Sequence, residues 1–303
     1  PFLFAAALAS SCIDNAYDLS NVNTDDVTIG DEDSEYRLPL ATVYVSMSEL
    51  NEGGADIKTL FDEADIWLPS PLPGNAAYVD LRELQNTPET ITPLLDALID
   101  QMMDDDAKIT AVADLLAEKY LSTFLPLLPP NTDPADFKPV FIEAFRNMPM
   151  LHDRLSGEVK SLAGSYLTEL KVQDVTYDIG KIDIGGDVVD MLCENLDSEG
   201  TPNPKNTLHL YGSITSALPV SLRLVPYFSP TNVRFDVTVE PGKTNEIRET
   251  QLFESDLRQI IEGAEIILPV SLEKYYPGYD FTSDQQIVIT LRLIKRGGLK
   301  LNL

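Results

Sequence analysis

Histidine and cysteine, two residue types that commonly carry catalysis or bind metal ions, are scarce in this sequence. Its 303 residues include two histidines, His152 and His209, and two cysteines, Cys12 and Cys193. A zinc site needs three or four ligands at defined spacing, and these four residues form no such cluster. Cys193 follows an apolar run, so we expect it to fill a small site in the core. We therefore predict no metal site.

Motifs that would indicate a common enzymatic mechanism are also absent. The sequence contains no G-x-S-x-G nucleophile motif and no glycine-rich phosphate loop. The pairs Gly53-Gly54, Gly185-Gly186 and Gly297-Gly298 are isolated, as is typical of turns. The 49 acidic residues offer too many carboxylate pairs for any one pair to indicate glycoside hydrolysis. We predict no catalytic residues and no cofactor, and we expect that the protein is not an enzyme.

Two acidic stretches are typical of a turn and of a helix boundary rather than of a metal site. Residues 195–200 imitate the start of a calcium loop, but the twelfth position is Asn206, and Pro202 interrupts the stretch. We interpret this stretch as a turn. The three consecutive carboxylates of residues 104–106 would point apart on a helix, so we expect a helix boundary here, with Asp106 as the cap of the next helix.

One aromatic stretch is suited to binding a ligand or a partner. Tyr275, Tyr276, Tyr279 and Phe281 surround the Pro277-Gly278 turn. Aromatic rings can stack on sugars or anchor a protein partner. The alternative is that these rings close one end of the folded body. The only tryptophan, Trp67, lies between Ile and Leu, so we assign it to the core.

The first residues are typical of a lipoprotein signal. An apolar run with small residues ends at Cys12, and it is too short to span a membrane. We predict that residues 1–12 are a truncated lipoprotein signal peptide with Cys12 as the lipidated residue; the alternative is an ordinary apolar N-terminal strand. Residues 13–35 contain eight acidic residues and no Lys or Arg, which favours a flexible tether.

Both ends of the sequence resemble Bacteroidetes cell-surface lipoproteins of uncharacterised function. The resemblance lies in Ser11-Cys12-Ile13-Asp14, in Tyr17-Asp18-Leu19-Ser20, and in the alternating residues 284–293 followed by Gly297-Gly298. It implies an outer-membrane lipoprotein that is anchored through a lipid on Cys12 and exposed at the cell surface. The acidic stretch after Cys12 is similar to their surface-export signal.

The overall charge restricts the class of partner. With 22 basic and 49 acidic residues, the formal net charge is −27. Such a field repels phosphates, so we expect no nucleic-acid partner. Besides the membrane, we expect an unknown glycan or protein ligand as the partner.

The middle of the chain has the periodicity of helices. Apolar residues recur at the i, i+3, i+4, i+7 spacing in four consecutive stretches, at Ile91–Met102, Ile109–Phe124, Phe137–Met148 and Leu151–Tyr166. Each apolar stripe needs a partner, so the four predict a helical bundle over residues 85–170.

The remaining parts of the chain have the period-two pattern of β-strands. Apolar and polar residues alternate in residues 208–214, 220–224, 233–239 and 287–293, which indicates antiparallel sheets with one buried face. A first strand is expected from Arg37, and a short helix capped by Ser255 is expected over residues 255–262. The predicted fold is α+β, an antiparallel β-sandwich of residues 36–84 and 171–303 with an inserted four-helix segment; the alternative is two independent domains in series.

These patterns favour a lipid-anchored cell-surface protein that acts as a binding or interaction module. One alternative is a fimbrial or adhesin subunit that assembles by strand donation after cleavage near Arg37. A second alternative is a polysaccharide hydrolase, which would need paired carboxylates of different pKa in a concave pocket.

Overall fold

The fold combines helices with antiparallel sheets. The computed structural model describes residues 27–46, 56–171 and 174–301. Helices account for 43% and strands for 28% of the structure, and every pair of neighbouring strands is antiparallel. The predicted α+β class is confirmed. Cys12 and the predicted signal peptide lie outside the described residues.

The strands of the described residues form four sheets. Their bounds are β1 Val27–Ile29, β2 Glu35–Ser46, β3 Val79–Asp80, β4 Val175–Asp178, β5 Thr207–Ser216, β6 Val220–Leu224, β7 Tyr227–Ser229, β8 Val237–Val239, β9 Thr244–Leu252, β10 Glu265–Leu268, β11 Val270–Tyr275, β12 Gln286–Arg296 and β13 Leu299–Leu301. The two largest sheets have the orders β2-β12-β5-β9 and β3-β11-β6-β8. A three-stranded sheet has the order β4-β10-β7, and β1 pairs with β13.

The long sheet owes its regularity to alternation in β12. Ile287, Ile289, Leu291 and Leu293 are buried, while most residues between them are partly or fully exposed. In β5, Gly212 lies opposite Leu291, and a side chain there would approach the Thr290 carbonyl oxygen to 2.0 Å. Glycine at this position therefore permits the close approach of β5 and β12.

The helices of the middle segment follow the predicted stripes. The helical bounds are α1 Ile57–Trp67, α2 Leu81–Asn86, α3 Thr92–Asp104, α4 Asp106–Lys119, α5 Leu121–Phe124, α6 Phe137–Asn147, α7 Pro149–Glu169, α8 Gly186–Cys193 and α9 Glu254–Gly263. All four predicted helices are present. The stretch expected to continue to Phe124 ends at Lys119, and a short separate helix follows.

Phenylalanine rings fill the contact between the helices of this segment. Phe137, Phe141 and Phe145 are fully buried on α6, and neighbouring rings along this row lie 5.8 Å apart between centroids. Phe124 meets Phe141 edge to face at 6.2 Å. Helix α1 also contacts α4 and α7, so residues before position 85 pack against the helical segment. The buried residues of helices and sheets belong to one hydrophobic core.

Some local boundaries differ from the sequence predictions. Asp105, and not Asp106, caps α4 by accepting hydrogen bonds from the backbone N–H groups of Ala107 and Lys108. Helix α9 begins at Glu254 instead of Ser255, because the Asp256 carboxylate accepts from the Phe253 N–H. These carboxylates occupy the positions that satisfy the free N–H groups of a helix start.

The region predicted as a tether is partly folded. Residues 27–29 form β1, and a turn closed by the Ser34 side chain precedes β2 at Glu35. The Tyr36 hydroxyl donates to the Ile29 carbonyl at 2.8 Å. The acidic composition is compatible with strand pairing here because Lys205 and Arg296 form ion pairs with Glu32 and Glu35. The predicted tether of residues 13–26 lies outside the described residues, and the predicted domain division stays a prediction.

Two further strand and core predictions have clear outcomes. The strand expected over residues 233–239 is shorter, since β8 begins at Val237, although Val233 and Phe235 are buried. Trp67 and Cys193 lie in the core as expected. Burial raises the pKa of the Cys193 thiol to about 11, which keeps it protonated at neutral pH.

Candidate functional site

The predicted aromatic stretch divides between the core and the surface. Tyr275 is fully buried, and Phe281 is nearly so; their rings pack on Phe61 at centroid distances of 4.6 and 4.8 Å. Tyr276 is half-buried, and Tyr279 is 65% exposed. The structure therefore leaves Tyr276 and Tyr279 available to a ligand, while Tyr275 and Phe281 hold the segment in place.

The alternation of β11 explains this division. Tyr275 faces the core at the last position of the strand, so its neighbours Lys274 and Tyr276 emerge on the opposite side. The Tyr275 hydroxyl donates to the Asp65 carboxylate at 2.7 Å. Burial raises the pKa of both groups, so the hydrogen bond joins a neutral phenol to the side chain of α1.

The short strand β3 brings a second tyrosine to the same place. Lys274 pairs with Asp80 and Tyr275 pairs with Val79, so the next residues in register are Tyr276 and Tyr78. Their ring centroids lie 5.6 Å apart with an interplanar angle of 53°. The Lys274 ammonium lies over the Tyr78 ring, 4.7 Å from its centroid, in a cation–π contact. We name Tyr78, Lys274 and Tyr276 the tyrosine patch.

Charged side chains surround the tyrosine patch. Glu273 pairs with Arg82 at 3.4 Å, and Arg223 on the neighbouring strand β6 pairs with Asp236 at 2.5 Å. The Lys243 ammonium lowers the pKa of the Glu240 carboxyl through a hydrogen bond, with a smaller contribution from Lys274. The patch therefore offers aromatic faces beside both donors and acceptors of hydrogen bonds.

A shallow cleft adjoins the patch at Tyr78. Its volume is about 160 Å³, and its apolar lining includes Leu72, Val79, Leu84 and Pro93. Asp80 also lines the cleft, but its carboxylate caps α2 by accepting from the Glu83 N–H at 2.8 Å. The cleft extends the patch with a surface on which apolar groups can rest.

Sequence reasoning did not find Tyr78 as a member of this site. It lies 196 positions before Lys274 in the chain, in a proline-rich loop region without a regular pattern. Only the pairing of β3 with β11 brings Tyr78 to Tyr276. The aromatic residue directly before the two-residue strand was the one available signal, and it is too common to be specific.

The two histidines of the sequence lie on separate elements, α7 and β5. Within residues 27–46, 56–171 and 174–301, no group of three His, Cys, Asp or Glu side chains is placed to hold a metal ion. His152 contacts the Phe145 carbonyl oxygen through Nδ1 at 2.7 Å, and Ser156 through Nε2 at 3.3 Å. Burial lowers the pKa of His209, which lies on β5. The Asp197 carboxylate accepts hydrogen bonds from the backbone N–H groups of Lys205 and Asn206.

Comparison with known proteins adds little to this geometry. No known protein family matches the sequence, and no curated protein matches it. One solved structure, a candidate secreted protein from Parabacteroides distasonis, is 18% identical over 41% of this chain, with a TM-score of 0.30. The matched region spans 38% of that protein's length. A likeness of this extent carries no argument about fold or function.

The membrane prediction rests on the N-terminal residues alone. No helix in the described part of the chain is both long enough and apolar enough to cross a bilayer.

Proposed function

We propose that the protein is a binding module of the cell surface that contacts a glycan through the tyrosine patch. The observation that supports this proposal is the pair formed by the exposed Tyr78 and the half-buried Tyr276, whose rings are tilted against each other beside Lys274. Sugar rings present C–H faces that pack on aromatic rings, and hydroxyls that bond to charged side chains. The patch supplies both kinds of contact, which a purely structural pair of tyrosines would not require.

The structure also accounts for how the patch is held in place. Tyr275 anchors the end of β11 through Asp65, and Phe61 packs between the rings of Tyr275 and Phe281. A surface carried on a rigid strand loses little conformational freedom when it binds. The buried members of the predicted aromatic stretch thus have a positioning role in this proposal.

The experiment is a glycan array probed with the full chain carrying Cys12→Ala, followed by titration of each hit. We expect Tyr78→Ala and Tyr276→Ala each to lower the affinity about threefold to tenfold, the equivalent of one aromatic contact. Tyr44→Ala is the matched control, because Tyr44 is 54% exposed on β2. Equal losses for the control, or binding only to protein ligands on a parallel array, would refute a glycan site.

We further propose that Cys12 carries a lipid that anchors the protein to the outer membrane, with the body displayed outside the cell. The proposal is supported by the apolar residues before Cys12 and the acidic residues after it. Cys12→Ala should move the protein from the membrane fraction to the soluble fraction, and Cys193→Ala should leave it in the membrane fraction. Retention of the Cys12→Ala protein in the membrane would contradict the anchor.

Strand donation is a second candidate function, and it is favoured by one observation. Strand β2 is at the edge of its sheet, and among the described strands it pairs with β12 alone. An edge strand of twelve residues can be exchanged between copies. Limited trypsin cleavage at Arg37 should then produce polymers whose amount rises with concentration. A cleaved chain that stays monomeric would exclude this function.

A further inference from the structure

A second cleft lies beside the turn that follows β7, and its residue Pro269 directly precedes β11, at the opposite end of this strand from Tyr276. Its volume is about 360 Å³, within the range of about 300–1,000 Å³ that is usual for small-molecule sites. It is lined by Val225, Tyr227, Thr231, Asn232, Arg234 and Pro269. The cleft therefore combines an apolar floor with several polar side chains.

The turn that forms this cleft is held by its own hydrogen bonds. The Thr231 hydroxyl donates to the Phe228 carbonyl at 2.9 Å and accepts from the Val233 N–H at 3.1 Å. The Phe228 N–H donates to the Val233 carbonyl at 3.0 Å. Phe228 and Phe235 are buried and meet edge to face at 5.9 Å. Because these hydrogen bonds and ring contacts hold the turn, the backbones of Tyr227 and Arg234 are held beside the cleft.

Three polar side chains of the cleft, those of Tyr227, Asn232 and Arg234, are available to a ligand. Within the described ranges, no carboxylate lies within ion-pair distance of the Arg234 guanidinium, which is exposed. In contrast, Arg223 and Arg258 pair with nearby carboxylates. The described residues also provide no side-chain hydrogen bond to Tyr227 or Asn232. Among the described residues, Arg234 therefore has no ion-pair partner, although the protein carries a net charge of −27.

We propose that this cleft binds a small ring-shaped molecule that carries one carboxylate, of the sugar-acid class. The Arg234 guanidinium is placed to pair with the carboxylate in the two-pronged geometry that guanidinium and carboxylate share. Tyr227 and Asn232 provide partners for ring hydroxyls, and Val225 and Pro269 form the floor under the ring. The single positive charge of the guanidinium matches a monoanion. The second negative charge of a phosphate dianion would stay unpaired in the negative field of the protein. This site is separate from the tyrosine patch.

The test is calorimetric titration of the full chain carrying Cys12→Ala with glucuronate, galacturonate and N-acetylneuraminate. Glucose and glucose 6-phosphate are the neutral and dianionic comparisons. We expect at least one of the three acids to bind, with neither comparison binding as tightly. Arg234→Gln should weaken that binding about tenfold to a hundredfold, the loss expected for a hydrogen-bonded charge pair. Arg234→Lys should restore only part of the affinity, because an ammonium lacks the planar fork.

Two controls test whether the binding depends on this cleft. Arg154→Gln changes the net charge equally from an exposed position on α7 and should leave the affinity unchanged. Tyr78→Ala should also leave it unchanged, which keeps this proposal independent of the glycan site. The circular dichroism spectrum of Arg234→Gln should match that of the unmodified protein. Tyr227→Phe is a second variant of the same cleft, and it removes only a hydroxyl group. Failure of all three acids to bind, tighter binding of the phosphate, or equal losses for Arg154→Gln would overturn the proposal.

Discussion

A buried lysine provides a sharp test of how the helical segment is held to α1. Lys108 lies on α4, and its ammonium donates to the backbone carbonyl oxygens of Asp65 at 3.0 Å and of Leu68 at 2.5 Å. These carbonyls are at the C-terminal end of α1, where free carbonyl groups attract a cation. Burial lowers the Lys108 pKa from 10.5 to about 8, against the opposing effects of Asp65 and Asp105.

The lowered pKa sets the sign and size of the pH dependence. Between about pH 8 and 10.5, the unfolded chain holds this proton while the folded protein has released it. The free energy of unfolding should therefore rise as the pH increases through this window. The gain is absent below about pH 8, where both states hold the proton. The lowering of the Lys108 pKa corresponds to a change of about 3 kcal/mol in the free energy of unfolding. This contribution belongs to Lys108 and disappears when the lysine is replaced.

The assay is urea unfolding of the unmodified protein and of Lys108→Met from pH 7 to 10. Other groups titrate equally in both proteins, so the difference between the two free energies isolates Lys108. We expect the unmodified protein to gain most of about 3 kcal/mol relative to the variant across this range. A difference that stays constant would refute the reasoning.

An exposed lysine on α1 is the control for this assay. Lys58 pairs with Asp62 at 2.5 Å, and this hydrogen bond raises the Lys58 pKa. A raised pKa contributes stability that is lost only as the pH rises beyond 10.5. The difference between the unmodified protein and Lys58→Met should therefore show no rise from pH 7 to 10.

Three further predictions concern the core and the long sheet. Lys295 is fully buried, and burial lowers its pKa to about 8. In urea unfolding, the unmodified protein should therefore gain stability relative to Lys295→Met as the pH rises, as for Lys108. A difference between the two proteins that does not change with pH would contradict this prediction. Phe61→Ala should lower the unfolding free energy by about 3–5 kcal/mol, and Phe61→Leu by less, because the ring fills the core between two aromatic neighbours. Gly212→Ala should lower the free energy of unfolding by about 3 kcal/mol, because its Cβ would overlap the Thr290 carbonyl oxygen. Gly157→Ala lies in open space on α7 and should raise the free energy of unfolding by about 0.5–1 kcal/mol. Thermal unfolding measures both changes.

The helical and strand patterns were reliable where one face of an element meets the core. The stripe from Phe137 to Met148 predicted α6, and the alternation from Ile287 to Leu293 predicted the centre of β12. Burial of one face imposes a period that the sequence must display. The ends of elements were less predictable, since Asp105 and Asp106 have the same chemistry and only the backbone geometry selects the cap.

The aromatic site shows the same limit at the level of function. The sequence placed Tyr275, Tyr276, Tyr279 and Phe281 in one stretch, but it did not distinguish the rings that pack inside from those at the surface. The end of β11 makes this distinction, because successive residues of a strand point to opposite faces.

What the sequence determined by itself follows from local chemistry. Periodicity defined the helices and strands, and the charge of −27 is the basis for the prediction that nucleic acid is not a partner. The scarcity of histidine and cysteine is the basis for the prediction of no His/Cys metal site. The tertiary structure decided which distant residues meet. The pairing of β3 with β11 brings Tyr78 to Tyr276, and the turn after β7 places Arg234 at a cleft that Pro269 also lines. Such contacts depend on strand register and on the packing of elements far apart in the chain, which no local pattern encodes.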